Sequence, residues 1–142
     1  MLGSEQYTSA IDIWSAGCIF AEMATNSPLF VAEEIVNDNE IDELLCIFKI
    51  LGTPTDENWG GVTELPNWRE EFRKDYFEKP QNIAKFVLGL SKPGIDLLQK
   101  CLILDPKKRI SATDALLHPY FDDVILPGGM ERYKKPKKNE KN

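Results

Sequence analysis

The sequence predicts an all-α protein, and three observations carry this prediction. Four segments of the 142-residue chain combine runs of apolar residues with the end signals of helices. Serine or asparagine stands at the start of each segment, where helix N-caps are common. No segment shows a convincing alternation of apolar and polar residues, which would be typical of a half-buried strand. We therefore expect helices joined by loops, without a sheet.

The first predicted helix covers residues 9–25, with Ser9 as its N-cap. Apolar side chains lie on nearly every face of this helix, and only Asp12, Ser15 and Glu22 are clearly polar. A helix that is apolar nearly all round is expected to lie buried in a core larger than one neighbouring helix can supply.

The second predicted helix covers residues 39–51, with Asn39 as its N-cap and Gly52 after its last turn. Three acidic residues occupy the first turn, where negative charge interacts favourably with the helix dipole: Glu40, Asp42 and Glu43. Apolar residues fall three or four positions apart along the segment: Ile41, Leu44, Leu45, Phe48 and Leu51. This spacing predicts one apolar face turned towards a core.

We predict an irregular insert over residues 53–90, with one helical turn near 68–74, because Gly and Pro recur along this segment. Five aromatic residues favour packing over disorder: Trp59, Trp68, Phe72, Tyr76 and Phe77. We expect the two tryptophans to contribute to packing rather than to a ligand cage.

Two further helices are predicted after the insert. One covers residues 91–104, with Ser91 as its N-cap and Pro93 in its first turn. The other covers residues 111–121 and is capped by Ser111. His118 is the only histidine of the chain and stands near the end of this last helix, where we expect a structural contact rather than catalysis.

Charge is distributed unevenly along the chain. Residues 1–124 hold 11 basic and 21 acidic side chains, whereas residues 125–142 hold 6 basic and 2 acidic ones. We therefore expect one domain over residues 1–124, followed by a basic and disordered tail over 125–142. The acidic body argues against a nucleic acid as the main partner, because phosphate binding relies on clustered Lys and Arg.

The cysteines predict neither a disulfide framework nor a zinc site. Cys18, Cys46 and Cys101 lie far apart, without a Cys-x-x-Cys pair, and each has apolar neighbours. Reduced thiols indicate a cytoplasmic or nuclear protein. No apolar run approaches the roughly 18 residues that would span a bilayer, so we expect no membrane association.

Three stretches carry a resemblance to a known family: residues 7–30, 41–62 and 102–121. They include "DIWSAGC", "LGTPTDENWGGV" and "DPKKRIS…HPYF", in this order. Together they resemble the C-terminal part of the large lobe of a eukaryotic Ser/Thr protein kinase, and more narrowly a cyclin-dependent kinase of the CMGC group. The resemblance implies that the four helices correspond to helices F, G, H and I of that lobe.

The resemblance also implies roles for three residues. Asp12 would hold the backbone of the catalytic loop through charge-assisted hydrogen bonds. Trp14 would pack beneath the activation segment. Arg109 would form a buried ion pair with the Glu of an Ala-Pro-Glu motif. That motif is missing from this sequence, so we expect Arg109 to turn towards solvent here.

A docking face is implied as well, formed by the second helix and the insert. Its residues would be Glu40, Ile41, Asp42 and Trp68, and a small regulatory subunit of the Cks type, or a cyclin, would be the partner. The loop between Phe30 and Glu40 is longer than is usual in the family, which leaves this docking open.

The parts that perform phosphoryl transfer are missing from the sequence. It has no Gly-rich phosphate loop, no strand Lys for the phosphates, and no H-R-D or D-F-G motif. We therefore assign no catalytic, cofactor-binding or metal-binding residue, and we predict that the chain alone is inactive. ATP and Mg²⁺ would belong to the complete kinase, which would phosphorylate Ser or Thr of proteins.

Two other interpretations remain open at this point. The chain could be a free-standing protein-binding module that uses the second helix and the insert. It could instead be one half of a kinase that docks onto a complementary chain. If the missing parts are absent, helix 9–25 would expose apolar faces and favour self-association.

Overall fold

The computed structural model describes residues 2, 9–31, 40–74, 77 and 79–124. Within them the chain forms five α-helices: α1 (Ala10–Thr25), α2 (Glu40–Leu51), α3 (Glu71–Lys74), α4 (Lys92–Cys101) and α5 (Ala112–Leu116). Short 3-10 turns lie at Val62–Glu64, Ile83–Lys85 and Pro119–Phe121. No strand is present in these ranges, so the all-α prediction is confirmed for them. The Asn39 cap and the tail over 125–142 lie outside the described residues.

The predicted serine caps differ in outcome. Ser91 Oγ accepts a hydrogen bond from the Gly94 N–H at 3.3 Å, and Ser111 Oγ accepts one from the Asp114 N–H at 3.0 Å. Both predictions are confirmed. Ser9 makes no such bond, because its backbone already has helical torsion angles (φ −55°, ψ −13°), whereas a capping residue is usually extended.

The last two predicted helices end earlier than expected. Helix α4 ends at Cys101 rather than at residue 104, and Leu102 leaves helical geometry with φ −99° and ψ 22°. Helix α5 ends at Leu116, before the 3-10 turn that begins at Pro119. The residue before a proline is disfavoured in the helical region, and His118 accordingly is extended (φ −69°, ψ 143°).

Two apolar clusters form the core. The first joins α2 to the insert through buried residues: Leu2, Leu44, Ile47, Phe48, Val62 and Phe72. The second lies between α1, the Ile83–Lys85 turn and α4: Ala21, Ile83, Val87, Leu98 and Leu102. Trp14, Phe30 and Leu51 pack against both clusters and connect them.

The insert is tied to the end of α2 by reciprocal hydrogen bonds. The Thr53 N–H donates to the Phe77 carbonyl at 3.0 Å, and the Phe77 N–H donates to Thr53 Oγ1 at 3.0 Å. The Gln81 N–H donates to the Ile50 carbonyl at 2.8 Å. Trp59 and Trp68 pack against the first cluster, as the sequence predicts.

Helix α1 is less buried than its sequence predicts. Only Gly17 and Ala21 are buried, whereas Ile19 is 58% and Met23 is 76% exposed. The described elements cover only one side of α1 and so form a smaller core than the apolar faces of this helix predict. The related expectation, that α1 exposes apolar faces, is confirmed.

Helix α1 approaches α4 closely at Gly17. A Cβ atom at this position would lie 2.9 Å from Cys101 Cβ and 3.0 Å from Leu102 Cδ2. The absence of a side chain therefore sets the distance between the two helices. No helix of the described chain is both long enough and apolar enough to cross a membrane.

Candidate functional site

Arg109 lies half-buried between the start of α1 and the end of α4. Its Nε donates a hydrogen bond to the Ile103 carbonyl at 2.7 Å, its Nη1 to the Ala10 carbonyl at 2.8 Å and its Nη2 to the Leu104 carbonyl at 3.0 Å. The expectation that Arg109 turns towards solvent is therefore wrong. The reason is local, since carbonyls just beyond the end of α4 lack helical partners and accept from a guanidinium.

The indole of Trp14 lies against the same guanidinium. Arg109 Cζ is 4.8 Å from the centre of the Trp14 ring, within the range of a cation–π interaction. Phe30 stacks on Trp14 with ring centres 5.8 Å apart and an angle of 6° between the planes. These three side chains connect α1, the segment after it and the turn between α4 and α5.

The electrostatics of this cluster follow from its burial. Desolvation lowers the pKa of Arg109, and the nearby charge of Asp105 opposes that shift. Burial raises the pKa of the Cys18 thiol, while the positive charge of Arg109 acts against it. Among the residues that the structure describes, no carboxylate accepts a hydrogen bond from Arg109. The guanidinium thus has three carbonyl acceptors but no ion-pair partner there.

Asp12 is the third residue to which the kinase resemblance assigns a role. Its side chain is exposed in the first turn of α1. Its role and those of Trp14 and Arg109 in a complete kinase stay predictions.

The residues of the implied docking face are brought together only in part. Ile41 and Trp68 both pack against the first apolar cluster, and Trp68 contacts Phe72 edge to face with ring centres 5.4 Å apart. Glu40 is exposed at the start of α2. Two polar atoms of this face are buried and find no hydrogen-bond partner among the residues that the structure describes, namely Asp42 Oδ2 and Trp68 Nε1.

A polar network around His118 could not be predicted from residue spacing. Its Nε2 lies 2.7 Å from Asp96 Oδ2 and 3.4 Å from Lys100 Nζ, and its Nδ1 accepts from the Tyr120 N–H at 3.2 Å. Hydrogen bonds from Lys100 and from His118 lower the pKa of Asp96. The expectation of a structural contact for His118 is confirmed, because the ring joins α4 to the 3-10 turn that follows it.

The described residues include no group of three or more His, Cys, Asp or Glu side chains that could hold a metal ion. Glu40, Asp42 and Glu43 lie close together in the sequence at the start of α2, a spacing that could suggest metal ligands, but they do not form such a group.

The comparison with known protein families defines the class of the chain. The chain matches the protein kinase domain family over residues 1–121, and it therefore belongs to that family. The resemblance noted in the sequence is thereby confirmed at the level of the family.

Two curated relatives are named as cyclin-dependent kinases. The chain is 48% identical over 124 residues to "Cyclin-dependent kinase B2-1" of Oryza sativa subsp. japonica, covering 87% of this chain and 35% of the relative. It is 46% identical over 124 residues to "Cyclin-dependent kinase B2-1" of Arabidopsis thaliana, covering 87% of this chain and 37% of the relative. The chain thus spans about a third of the length of the curated relatives it matches.

Proposed function

We propose that the chain supplies the helical base of the large lobe of a cyclin-dependent-kinase-like Ser/Thr protein kinase. In this proposal α1, α2, α4 and α5 correspond to helices F, G, H and I. The observation that carries it is the Arg109 cluster, in which one guanidinium joins the start of α1 to the end of α4. The similarity to cyclin-dependent kinases over 87% of the chain supports the same assignment.

The chemistry of such a kinase would lie outside these residues. ATP and Mg²⁺ would supply the phosphoryl group and neutralise its developing charge. This chain would hold the surrounding backbone in place, with Arg109 and Trp14 supporting the segment that binds a protein substrate. A cyclin-type regulatory subunit and protein Ser or Thr residues would be its partners, in the cytoplasm or the nucleus.

The isolated chain tests the part of this proposal that concerns catalysis. We expect no saturable binding of Mg·ATP in calorimetric titration, and no transfer of phosphate to a Ser-Pro peptide. Saturable ATP binding by the chain alone, or transfer that persists after further purification, would show that it carries a nucleotide site of its own.

A second candidate function is a protein-binding module formed by α2 and the insert. The observation that favours it is a pair of buried polar atoms on that face, Asp42 Oδ2 and Trp68 Nε1, which have no hydrogen-bond partner within the described part of the chain. Buried polar groups are normally hydrogen-bonded, so a partner or a rearrangement that satisfies them would be stabilising.

Charge reversal on α2 distinguishes this module from a purely structural surface. The double variant Glu40→Lys, Asp42→Lys would abolish capture of a Cks-type regulatory subunit if α2 binds it. Glu22→Lys on α1 serves as the matched control, because it reverses an exposed charge on another helix. Equal capture by all three proteins, or no capture by the unmodified chain, would refute the module.

A further inference from the structure

Two Ser/Thr-Pro dipeptides occur in the chain, and the structure places them in opposite surroundings. They are Ser27-Pro28, just after α1, and Thr53-Pro54, just after α2. A hydroxyl group that is followed by proline is the sequence pattern on which proline-directed protein kinases act. Such a kinase can use the hydroxyl only if the dipeptide is exposed and the bonds that hold it permit access.

The dipeptide Thr53-Pro54 is not accessible to a kinase. Thr53 is 4% exposed, and Pro54 is fully buried. The Thr53 hydroxyl accepts a hydrogen bond from the Phe77 N–H at 3.0 Å, and the Thr53 N–H donates to the Phe77 carbonyl at 3.0 Å. A protein kinase must bind residues on each side of the hydroxyl, so phosphorylation here would require this part of the insert to unfold locally.

The dipeptide Ser27-Pro28 is accessible by contrast. Both residues are exposed, and they lie beyond Thr25, the last residue of α1. The backbone of Ser27 is held, because its N–H donates to Thr25 Oγ1 at 3.3 Å and its carbonyl accepts from that hydroxyl at 2.7 Å. Within the described residues, no group forms a hydrogen bond with Ser27 Oγ. Transfer of a phosphoryl group to this oxygen would therefore break no side-chain hydrogen bond there.

We propose that Ser27 is a phosphorylation site for a proline-directed Ser/Thr kinase that acts on this chain. The γ-phosphoryl group of Mg·ATP would pass to Ser27 Oγ. The bond between phosphorus and the oxygen of ADP breaks, the bond to Oγ forms, and the hydroxyl proton leaves to the general base of the modifying kinase. This inference does not depend on the proposed function of the chain, because it rests on the surroundings of Ser27 alone.

A phosphate on Ser27 would add negative charge at the unfavourable end of α1. A phosphoserine carries about −1.5 to −2 charges at neutral pH, and the C-terminal end of a helix bears partial negative charge. The last turn of α1 contains no basic residue, and the Asn26 N–H closes this turn by donating to the carbonyl of the acidic Glu22 at 2.7 Å. We therefore expect phosphorylation to loosen the last turn of α1.

Treatment of the full chain with Mg·ATP and a purified proline-directed kinase tests the site, with one cyclin-dependent and one mitogen-activated kinase as probes. Mass spectrometry maps the phosphate, which we expect on Ser27 and not on Thr53. Ser27→Ala should abolish the labelling, and Pro28→Ala should lower its rate at least about tenfold, because the residue that such kinases require is lost. The matched control Ser15→Ala removes an exposed hydroxyl that no proline follows, and it should change the rate less than about twofold.

A synthetic peptide of residues 48–60 separates the effect of burial from that of sequence. We expect the same kinases to phosphorylate Thr53 in this peptide, because Phe77 is absent from it and the dipeptide is exposed. A peptide that is not labelled would contradict the claim that burial protects Thr53 in the folded chain.

Hydrogen exchange followed by NMR tests the effect of the phosphate on α1. Exchange of the Asn26 N–H should become about two- to fivefold faster in the phosphorylated chain, which corresponds to the usual strength of a charge near a helix end. The Leu102 N–H, which donates to the Leu98 carbonyl at the end of α4, is the reference and should keep its rate.

Each of four results would overturn a part of the proposal. No labelling of the full chain by either kinase would show that Ser27 is not accepted, and labelling that Ser27→Ala leaves unchanged would place the modification elsewhere. Equal labelling of Ser27 and Thr53 in the full chain would show that burial does not select between them. An unchanged or slower exchange of the Asn26 N–H would contradict the expected effect on α1.

Discussion

At the scale of single residues, Arg109 joins the start of α1 to the turn after α4. Its three nitrogens donate to carbonyls of Ala10, Ile103 and Leu104, and two of these acceptors belong to the turn after α4. A lysine carries one ammonium group and cannot reproduce the planar fork. The charge and the geometry of arginine are therefore both needed.

Arg109→Lys should lower the free energy of unfolding by about 1–3 kcal/mol, because carbonyls that accept from the guanidinium lose a charged donor. Urea denaturation measures this change. Lys107→Ala, which alters an exposed neighbour in the same turn, should stay within about 0.5 kcal/mol of the unmodified chain. Equal effects of the two substitutions would contradict the structural role of Arg109.

The Asp96 carboxylate gives a pH-dependent prediction. Its pKa is lowered by Lys100 and His118 from an ordinary value of 3.8, so its contribution to stability is present above that value and is lost as the pH falls through the lower, folded-state pKa. Asp96→Asn should therefore lower the urea midpoint near neutral pH, and the difference from the unmodified chain should shrink below about pH 4. A difference that is constant between pH 7 and pH 3 would contradict this account.

The family resemblance implied structural roles for Arg109 and Trp14, but it did not indicate the carbonyl groups that accept from Arg109. Ala10, whose carbonyl accepts from Arg109, lies 99 positions away in the sequence. Every residue carries a backbone carbonyl, so the sequence alone does not indicate which one accepts. The Trp14–Phe30 stack was not predicted either, because stacking between distant aromatic residues leaves no periodic signal.

At the scale of elements, the contact between α1 and α4 depends on Gly17. Gly17→Ala should lower the free energy of unfolding by about 1–2 kcal/mol, since its Cβ would lie 2.9 Å from Cys101 Cβ and force the helices apart. Gly60→Ala is the matched control, because a Cβ there meets no atom closer than 3.9 Å and the backbone has no positive φ. Thermal denaturation compares the two, and a stabilising effect of Gly17→Ala would contradict the close packing.

Helix starts could be predicted better than helix ends. Ser91 and Ser111 are capping residues whose side chains bond within three positions, so local sequence is sufficient to place them. The end of α4 depends on the turn that follows, where Asp105 Oδ1 accepts from the Lys107 N–H at 3.0 Å. The apolar residues of 102–104 continue the helical pattern without distinguishing a helix from a turn that packs on the core.

At the scale of the whole molecule, the order of the helices and the exposure of α1 were predictable, but the neighbours that cover one side of α1 were not. Hydrophobic periodicity identifies the faces that favour burial, but it does not say what covers them. Ile19 and Met23 are exposed although their sequence context predicts a core helix. Only the coordinates show that α4 and the Pro119–Phe121 turn pack against one side of α1.

The central claim is that these helices can serve as the base of a cyclin-dependent kinase. The most direct test is a chimera in which the N-terminal part of the rice cyclin-dependent kinase B2-1 precedes this chain, replacing the segment to which it is similar. With a cyclin and Mg·ATP, we predict transfer of phosphate to a Ser-Pro peptide, above that of the same chimera without its ATP-binding lysine. A folded chimera that binds ATP and cyclin but transfers no phosphate would contradict the claim.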